Sequence, residues 1–215
     1  MYMLKFAKID LLKTRSFSWL LLFPVLAVCM LSFSNDGGPT MAITYCQFAG
    51  IIASALPFAT ETREECGFLQ MLPCHPGDDL RGHFLYGFLA ELVATFLGCC
   101  ALLVSGLLRP ELGLGPVALY PVLFGITLLL IVVQNMLLTF FRSENAQVMQ
   151  LMRMVPSFAF FFGTAALMEH LPDLVGRFLG WLTLIRGFGI AAVCCVLYGL
   201  LTQLCVMLTQ RKDLL

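Results

Sequence analysis

Charged side chains are scarce in this chain, and their scarcity limits the class of protein it can be. Lys plus Arg number 13 and Asp plus Glu number 13 among 215 residues, so the formal net charge is zero. Hydrophobic residues make up 60% of the chain, and the mean hydropathy is +0.90. A water-soluble domain of this size is far less apolar. The composition excludes a soluble globular fold and indicates a polytopic integral membrane protein.

Motifs for nucleotide binding and catalysis are also absent. No Gly-x-x-x-x-Gly-Lys-Ser/Thr segment occurs and no lysine follows a glycine, which excludes a phosphate-binding loop of that type. The chain has no Gly-x-Ser-x-Gly elbow and no His-Glu-x-x-His pair. We therefore expect no enzyme activity, no cofactor and no nucleic-acid partner. If energy drives the function, a separate subunit must supply it.

The few charges are gathered between long apolar stretches. About 20 helical residues cross a ~30 Å hydrocarbon core, where only helices and closed barrels satisfy every backbone group. The stretches lack the period of two that a barrel strand requires. The sequence therefore predicts an all-α fold with six transmembrane helices in residues 17–33, 41–59, 83–108, 116–141, 155–168 and 179–208.

Basic residues predict how these spans are oriented, because Lys and Arg in short loops are retained on the cytoplasmic side. With the N-terminus inside, ten of the 13 basic residues fall in inner segments. The other three, Arg109, Arg177 and Arg186, lie on the outer side or within the last span. Both termini are therefore expected in the cytoplasm, as an even number of spans requires.

Residues 1–16 carry Lys5, Lys8 and Lys13 among apolar side chains. We interpret this segment as an amphipathic helix that lies on the lipids of the inner leaflet and leads into a transmembrane domain, residues 17–215. A basic anchor without a defined helix is the alternative.

The cysteines indicate no special chemistry. Seven of the nine lie in apolar stretches, where cysteine behaves as a small hydrophobic residue. Cys66, Cys74, His75 and His83 are conceivable zinc ligands, but their spacing matches no usual zinc site. We therefore expect no metal.

The longest cytoplasmic interruption is the loop 60–82. A charged cluster leads into an apolar run that includes Phe68 and Leu72, and prolines follow at Pro73 and Pro76. A short apolar segment between charges and prolines suits docking into the groove of a partner. A helix that merely lies on lipid headgroups is the alternative.

A basic N-terminal helix, six spans with both ends inside, and a Gly-Phe-Leu-x-x-Leu-Pro loop before the third span together resemble the permease subunit of type-2 ABC exporters. The most similar group is the small bacterial permeases that export peptides, including phenol-soluble modulin toxins. The resemblance covers nearly the whole chain and implies a multi-pass protein of the bacterial inner membrane. It also implies a cytoplasmic ABC ATPase, which binds ATP and Mg²⁺, and a second permease copy or paralogue as partners.

The resemblance further implies a short coupling helix in the loop that contacts the ATPase. The residues that match it are Glu64, Glu65, Gly67, Phe68, Leu69, Leu72 and Pro73. Many family members carry a basic residue soon after the Leu-Pro pair, whereas here Cys74, His75 and two aspartates intervene before Arg81. This departure leaves the register of the coupling helix open.

Three polar residues within the predicted spans require an explanation. An ionised Glu91 near the centre of a bilayer would cost ~2.5–3.5 kcal/mol. It is expected to face protein or water, or else to lie near the inner headgroups. Gln134 and Asn135 are expected to hydrogen-bond between helices, at ~0.6–2 kcal/mol each.

Glycines and Pro172 in the outer stretch 168–186 permit breaks in the helix. In type-2 exporters this segment dips into the outer leaflet as short re-entrant helices, which would place Arg186 near the outer interface. A continuous last helix from Leu179, with Arg186 buried and paired, is the alternative.

The cargo implied by the resemblance is an amphipathic peptide or a similar hydrophobic molecule. The 19 Phe and 11 Met residues suit such a cargo, although ordinary packing explains them equally well. Two other classes compete: a receptor or immunity protein without an ATPase, and a membrane-embedded enzyme that uses Glu91, His83 and Glu169. The enzyme is disfavoured because His83 and Glu169 lie at opposite membrane faces. Small residues predict the surface for a second copy: Gly50, Ala53, Ala55, Gly98, Ala101 and Ser105.

Overall fold

A computed structural model describes residues 2–14, 39–60, 77–108, 117–140 and 146–212, and every regular element in these ranges is a helix. The predicted all-α class is therefore confirmed for this part of the chain. The helices are α1 (Tyr2–Lys13), α2 (Pro39–Ser54), α3 (Leu56–Thr60), α4 (Asp78–Leu108), α5 (Leu119–Phe140), α6 (Ala146–His170), α7 (Pro172–Trp181) and α8 (Leu184–Lys212).

Three of these helices are long and apolar enough to cross a membrane: Asp78–Val104 in α4, Leu119–Phe140 in α5 and Leu184–Gln210 in α8. Two shorter apolar segments, Ile43–Phe58 and Met154–Thr164, coincide with the second and fifth predicted spans. The first predicted span, 17–33, lies outside the described residues. The count of six therefore stays a prediction.

The helix α5 lies at the centre of the bundle and contacts α2, α4, α6 and α8. Leu128, Ile131 and Val132 on α5 are fully buried in the main hydrophobic core. More than half of α5 is buried, Ile126 and Val133 on one face are exposed, and no residue of α5 is charged. The bundle is thus organised around one uncharged helix.

The main helices alternate in direction. Contacts between α2 and α4 run in opposite senses along the two helices, whereas those between α5 and α8 run in the same sense. The defining pairs are Cys46 with Gly98 and Ser54 with Gly87 for α2 and α4, and Ala118 with Gly187 and Gly125 with Cys194 for α5 and α8. This alternation is the pattern that successive membrane crossings produce.

Hydroxyl groups inside the helices bond to their own backbone. Thr139, Thr164, Thr202 and Thr209 each place Oγ1 at 2.7–2.9 Å from the carbonyl oxygen four residues earlier. A hydroxyl that donates in this way is satisfied without water, as an apolar environment requires. The same bond recurs at Thr127, where it bears on the site described below.

The N-terminal helix α1 packs on the first turns of α4. Phe6 and Ala7 are buried there, and a Cβ at Gly82 would overlap the Cβ of Phe6. Leu4, Leu11 and Leu12 are exposed. One face of α1 therefore binds protein and leaves other apolar residues uncovered, and its position on the inner leaflet stays a prediction.

A polar contact also holds α1 against α4. The Oδ2 atom of Asp10 lies 2.7 Å from Nδ1 of His83, and both side chains are buried. One turn away, the hydroxyl of Tyr86 donates to Oγ1 of Thr14 at 3.0 Å. The sequence analysis did not identify Asp10, because an acidic residue among lysines on a short helix normally faces solvent.

Small residues pack α2 against α4 within one chain. Gly98 lies against Cys46, Gly50 lies against Ala94, and Ala55 and Ala101 are buried. The expectation that these positions present a surface to a second copy is therefore wrong for these four residues, and it stays a prediction for Ala53 and Ser105. The four residues instead allow α2 and α4 to approach each other closely.

At the end of the bundle away from α1, a short helix separates α6 from α8. The helix α7 begins after Leu171, and the chain is non-helical again at Leu182 and Thr183. Arg186 is exposed in the first turn of α8, where Nη1 donates to the Trp181 carbonyl at 2.6 Å and the guanidinium lies 4.7 Å from the Trp181 ring centroid. A continuous last helix with a buried Arg186 is therefore incorrect. The depth of α7 in the membrane stays a prediction.

We predict that Asp10→Ala detaches α1 from α4 and lowers the stability of the protein in detergent by about 1–3 kcal/mol, because the buried His83 loses its carboxylate partner. Thermal unfolding of the purified protein measures the loss. Lys8→Ala, on the exposed side of the same helix, should change the midpoint little. Equal midpoints for the two variants would contradict the packing of α1 on α4.

Candidate functional site

The predicted coupling residues lie outside the described part of the chain. They are Glu64, Glu65, Gly67, Phe68, Leu69, Leu72 and Pro73. The two ends of their segment are described: α3 ends at Thr60, and α4 begins at Asp78 after Gly77. Gly77 has φ 88°, a left-handed conformation that favours glycine, and it lies against Val206 and Gln210 of α8. The segment therefore rejoins the bundle beside the C-terminal part of α8.

Several elements meet at this end of the bundle, which we call the loop end. It comprises α1, α3, the first turns of α4 and the last turns of α8. Arg81 of α4 donates to Asp78 at 3.2 Å and to Oε1 of Gln203 in α8 at 3.5 Å. Contacts through Asp10, Gly77 and Arg81 thus hold both α1 and α8 to the base of α4.

Glu91 lies at the midpoint of the apolar segment Asp78–Val104, thirteen residues from each end. Its side chain is fully buried, with 0% exposure. At 1.5 Å per residue it is about 20 Å from either end of that segment. The structure therefore places Glu91 inside the helix bundle, and its depth in the membrane stays a prediction.

Two threonine hydroxyls contact the same oxygen of this carboxyl group. Oγ1 of Thr127, on α5, lies 2.6 Å from Oε1 of Glu91, and Oγ1 of Thr95 donates to the same atom at 3.3 Å. The other oxygen, Oε2, is buried without a hydrogen-bond partner among the described residues. The carboxyl group is thus held from one side only.

Gly50 on α2 closes the other side. A Cβ at Gly50 would overlap Oε2 of Glu91 and lie 3.0 Å from the Cβ of Ala94. Any other residue at position 50 would therefore displace the carboxyl group or separate α2 from α4. The absence of a side chain at Gly50 provides the space that Glu91 occupies.

Further polar side chains are buried beside this group. Gln47 lies one turn before Gly50 on α2, and Gln134 and Asn135 lie on α5; all three have 0% exposure. The amide of Asn135 lies near Gly87, at 3.1 Å from the position of a Cβ there. Its side-chain atoms have no hydrogen-bond partner among the described residues, so the expected interhelical bond is not found for Asn135. The amide atoms of Gln47 likewise have none.

Glu91, Gln134 and Asn135 were identified from the sequence, Gly50 was identified in a different role, and Gln47, Thr95 and Thr127 were missed. Spacing is the signal that could have found them, since Gln47, Gly50 and Ser54 follow the i, i+3, i+7 pattern of one helix face. A threonine in a span is usually satisfied by its own backbone. Nothing in the sequence marks Thr127 as the threonine that meets a carboxyl group.

The three residues of the competing enzyme hypothesis do not come together. His83 contacts Asp10 at the loop end, Glu91 is buried at mid-bundle, and Glu169 is exposed at the far end of α6. Cys66, Cys74 and His75 lie outside the described residues. Within the described ranges, no three His, Cys, Asp or Glu side chains are grouped as metal ligands would be.

The fold and the site define an integral membrane helix bundle with a carboxyl group at its centre. Residues 7–208 match the family model described as ABC-2 family transporter protein. The match covers most of the chain, which therefore belongs to the ABC-2 family of transporter membrane proteins. No curated protein and no solved structure matches the chain.

We predict that Gly50→Ala lowers the stability of the protein by about 1–3 kcal/mol, because the added methyl group overlaps the Glu91 carboxyl group and strains the packing of α2 on α4. Thermal unfolding in detergent measures the effect. Gly163→Ala in α6 is the matched control, since nothing lies within 4 Å of a Cβ at that position.

The double variant Gly50→Ala with Glu91→Ala separates two effects of Gly50→Ala: the overlap of the added methyl group with the Glu91 carboxyl group, and the change in helix propensity. Removing the carboxyl group should abolish most of the cost of Gly50→Ala relative to Glu91→Ala alone. An undiminished cost in that background would contradict direct contact between the two residues.

Proposed function

We propose that this chain is the permease subunit of an ATP-driven exporter of the bacterial cell membrane. The observation that carries the proposal is the family match over residues 7–208. Members of the ABC-2 family generally work with an ATPase subunit. Because this sequence contains no phosphate-binding loop, the ATPase is a separate chain.

The loop end supplies the place where such an ATPase would act. The segment 61–76 joins Thr60 of α3 to Gly77 in the chain, and α2, which leads into α3, packs on α4. A force applied to this segment would therefore reach α2 and α4 directly. We propose that Phe68, Leu69 and Leu72 form the apolar face that docks in the ATPase.

We further propose that two permease chains pair, as identical copies or paralogues, and that the cargo is an amphipathic peptide or a similar hydrophobic molecule. Six helices are few to enclose a path for a sizeable cargo, whereas a symmetric pair would place a path at its interface. Adaptable Phe and Met side chains support an apolar cargo. The interface lies elsewhere than at Gly50 and Gly98, which serve packing within the chain.

We predict that Phe68→Asp combined with Leu72→Asp releases the ATPase, because two charges in a docking face remove apolar contact and are costly to bury. Co-purification of the ATPase with tagged permease from membranes measures binding, and ATP hydrolysis by the complex measures coupling. The ATPase should be lost while the permease remains inserted.

The matched control is Gln70→Asp combined with Cys74→Asp. It adds the same charge to the same segment, at the same spacing, without removing Phe68 or Leu72. This variant should retain the ATPase. Retention of the ATPase by both variants at wild-type stoichiometry would place the docking site elsewhere.

The proposed topology predicts which positions can be labelled from outside the cell. In a variant without its nine cysteines, Asp173→Cys should react with a membrane-impermeant maleimide on intact cells, and Asp78→Cys should not. After permeabilisation both should react, which shows that Asp78→Cys is accessible to the reagent. Labelling of Asp78→Cys on intact cells would overturn the orientation.

A further inference from the structure

The hydroxyl group of Thr127 lies within hydrogen-bond distance of three oxygen atoms. Oγ1 of Thr127 lies 3.0 Å from the carbonyl oxygen of Leu123, 2.9 Å from that of Phe124 and 2.6 Å from Oε1 of Glu91. A threonine hydroxyl has one proton to donate. If Glu91 were ionised, the carboxylate and the helix backbone would be alternative acceptors for that single proton, and a bond to one would exclude a bond to the other.

A protonated Glu91 resolves this competition. The carboxylic acid then donates from Oε1 to Oγ1 of Thr127, and Thr127 donates to its own backbone, as the other back-bonded threonines of the bundle do. The 2.6 Å separation is typical of a short O–H···O bond. Each of the two hydrogens then has an acceptor. The acid proton of Glu91 is accepted by Thr127, and the hydroxyl proton of Thr127 is accepted by a backbone carbonyl oxygen.

The surroundings of Glu91 also favour a neutral group. The helices α2 and α5 contain no charged residue. On α4, Arg81 is ten residues away, and His83, which contacts Asp10, is eight residues away. From α2, the titratable side chain that faces Glu91 is the thiol of Cys46, and Cys99 of α4 lies beside that thiol. From α5, the side chain that faces Glu91 is Thr127. No cation in the described ranges compensates a charge on Glu91, and Oε2 has no donor.

We propose that Glu91 is an intramembrane proton-binding site. Its carboxylic acid donates a hydrogen bond to Thr127 while α2 is packed on α4, and it releases the proton when the two helices separate. On separation, water enters beside Gly50, the O–H bond of the acid breaks, and the proton passes to water as hydronium and leaves a carboxylate. Gly50 and Glu91 form the contact that must open. The release step rests on the proposed function, because the segment proposed to bind the ATPase, 61–76, connects α3 with α4 in the chain.

Infrared spectroscopy of the purified, reconstituted permease tests the bound proton without any ATPase. The wild type should show the C=O stretch of a protonated carboxyl group at neutral pH, with a downward shift after exchange into D₂O. Glu91→Gln should abolish this band. Glu169→Gln, which removes an exposed carboxyl group, should leave it intact. A wild-type spectrum without the band, or a band that survives in Glu91→Gln, would overturn the proposal.

Variants of Thr127 keep the test decisive if Glu91→Gln does not fold. Thr127→Val removes the acceptor of the proton and should move the band to higher frequency, whereas Thr127→Ser retains the hydroxyl and should leave its position nearly unchanged. Equal band positions in Thr127→Val and wild type would contradict donation from Glu91 to Thr127.

The release step is tested in the complex with the ATPase. Trapping the complex with a non-hydrolysable ATP analogue should weaken the band, because α2 and α4 separate and the acid ionises. A band of unchanged intensity would overturn release, and failure of the ATPase to bind would instead contradict the proposed function. The spectrum of the isolated permease distinguishes these two failures, since it depends on neither.

Discussion

The packing of three helices depends on one carboxyl group enclosed at mid-bundle. Glu91 projects from α4 into the space left by Gly50 on α2 and meets Thr127 on α5. A larger residue at position 50 would overlap the carboxyl group, and a shorter one at position 91 would leave a void. Because the contacts are on different helices, they fix the register of α2 and α5 against α4 together.

This register has consequences at the loop end. With α4 fixed at mid-bundle, its first turns carry His83 to Asp10 of α1 and Gly77 to the last turns of α8. The same turns receive the segment 61–76. The helix that carries the buried Glu91 is therefore also the helix that binds α1 and contacts α8, and it follows the proposed ATPase-binding segment in the chain.

The sequence predicted the features that depend on composition and length. Long uncharged runs identified α4, α5 and α8, and the breaks near Pro172 agree with the short helix α7 between α6 and α8. Features that depend on which face of a helix meets which neighbour were not predictable. Gly50 and Gly98 are examples, since a small residue suits contact within a chain and between chains equally well.

Asp10 and Thr127 illustrate the same limit for polar residues. In the sequence of α1, Asp10 is one charged residue among lysines and would be expected to face solvent. Its burial is favourable because it contacts His83 of α4. Thr127 is one of several threonines bonded to their own helix, and its difference is the carboxyl group 2.6 Å away on α4. Both depend on pairs distant in sequence, which a pattern along a single helix does not contain.

A layer of buried polar side chains bears on the proposed separation of α2 from α4. Entry of water beside apolar side chains would be unfavourable, because such side chains form no hydrogen bonds with water. Glu91 Oε2, Gln47 and Asn135 have no hydrogen-bond partner among the described residues, so entry of water between α2 and α4 would satisfy groups that the closed packing leaves unsatisfied. Their hydration in an open arrangement would offset part of the lost contact between the helices. A bundle with such a layer can separate α2 from α4 at a lower free-energy cost than one packed with aliphatic side chains alone.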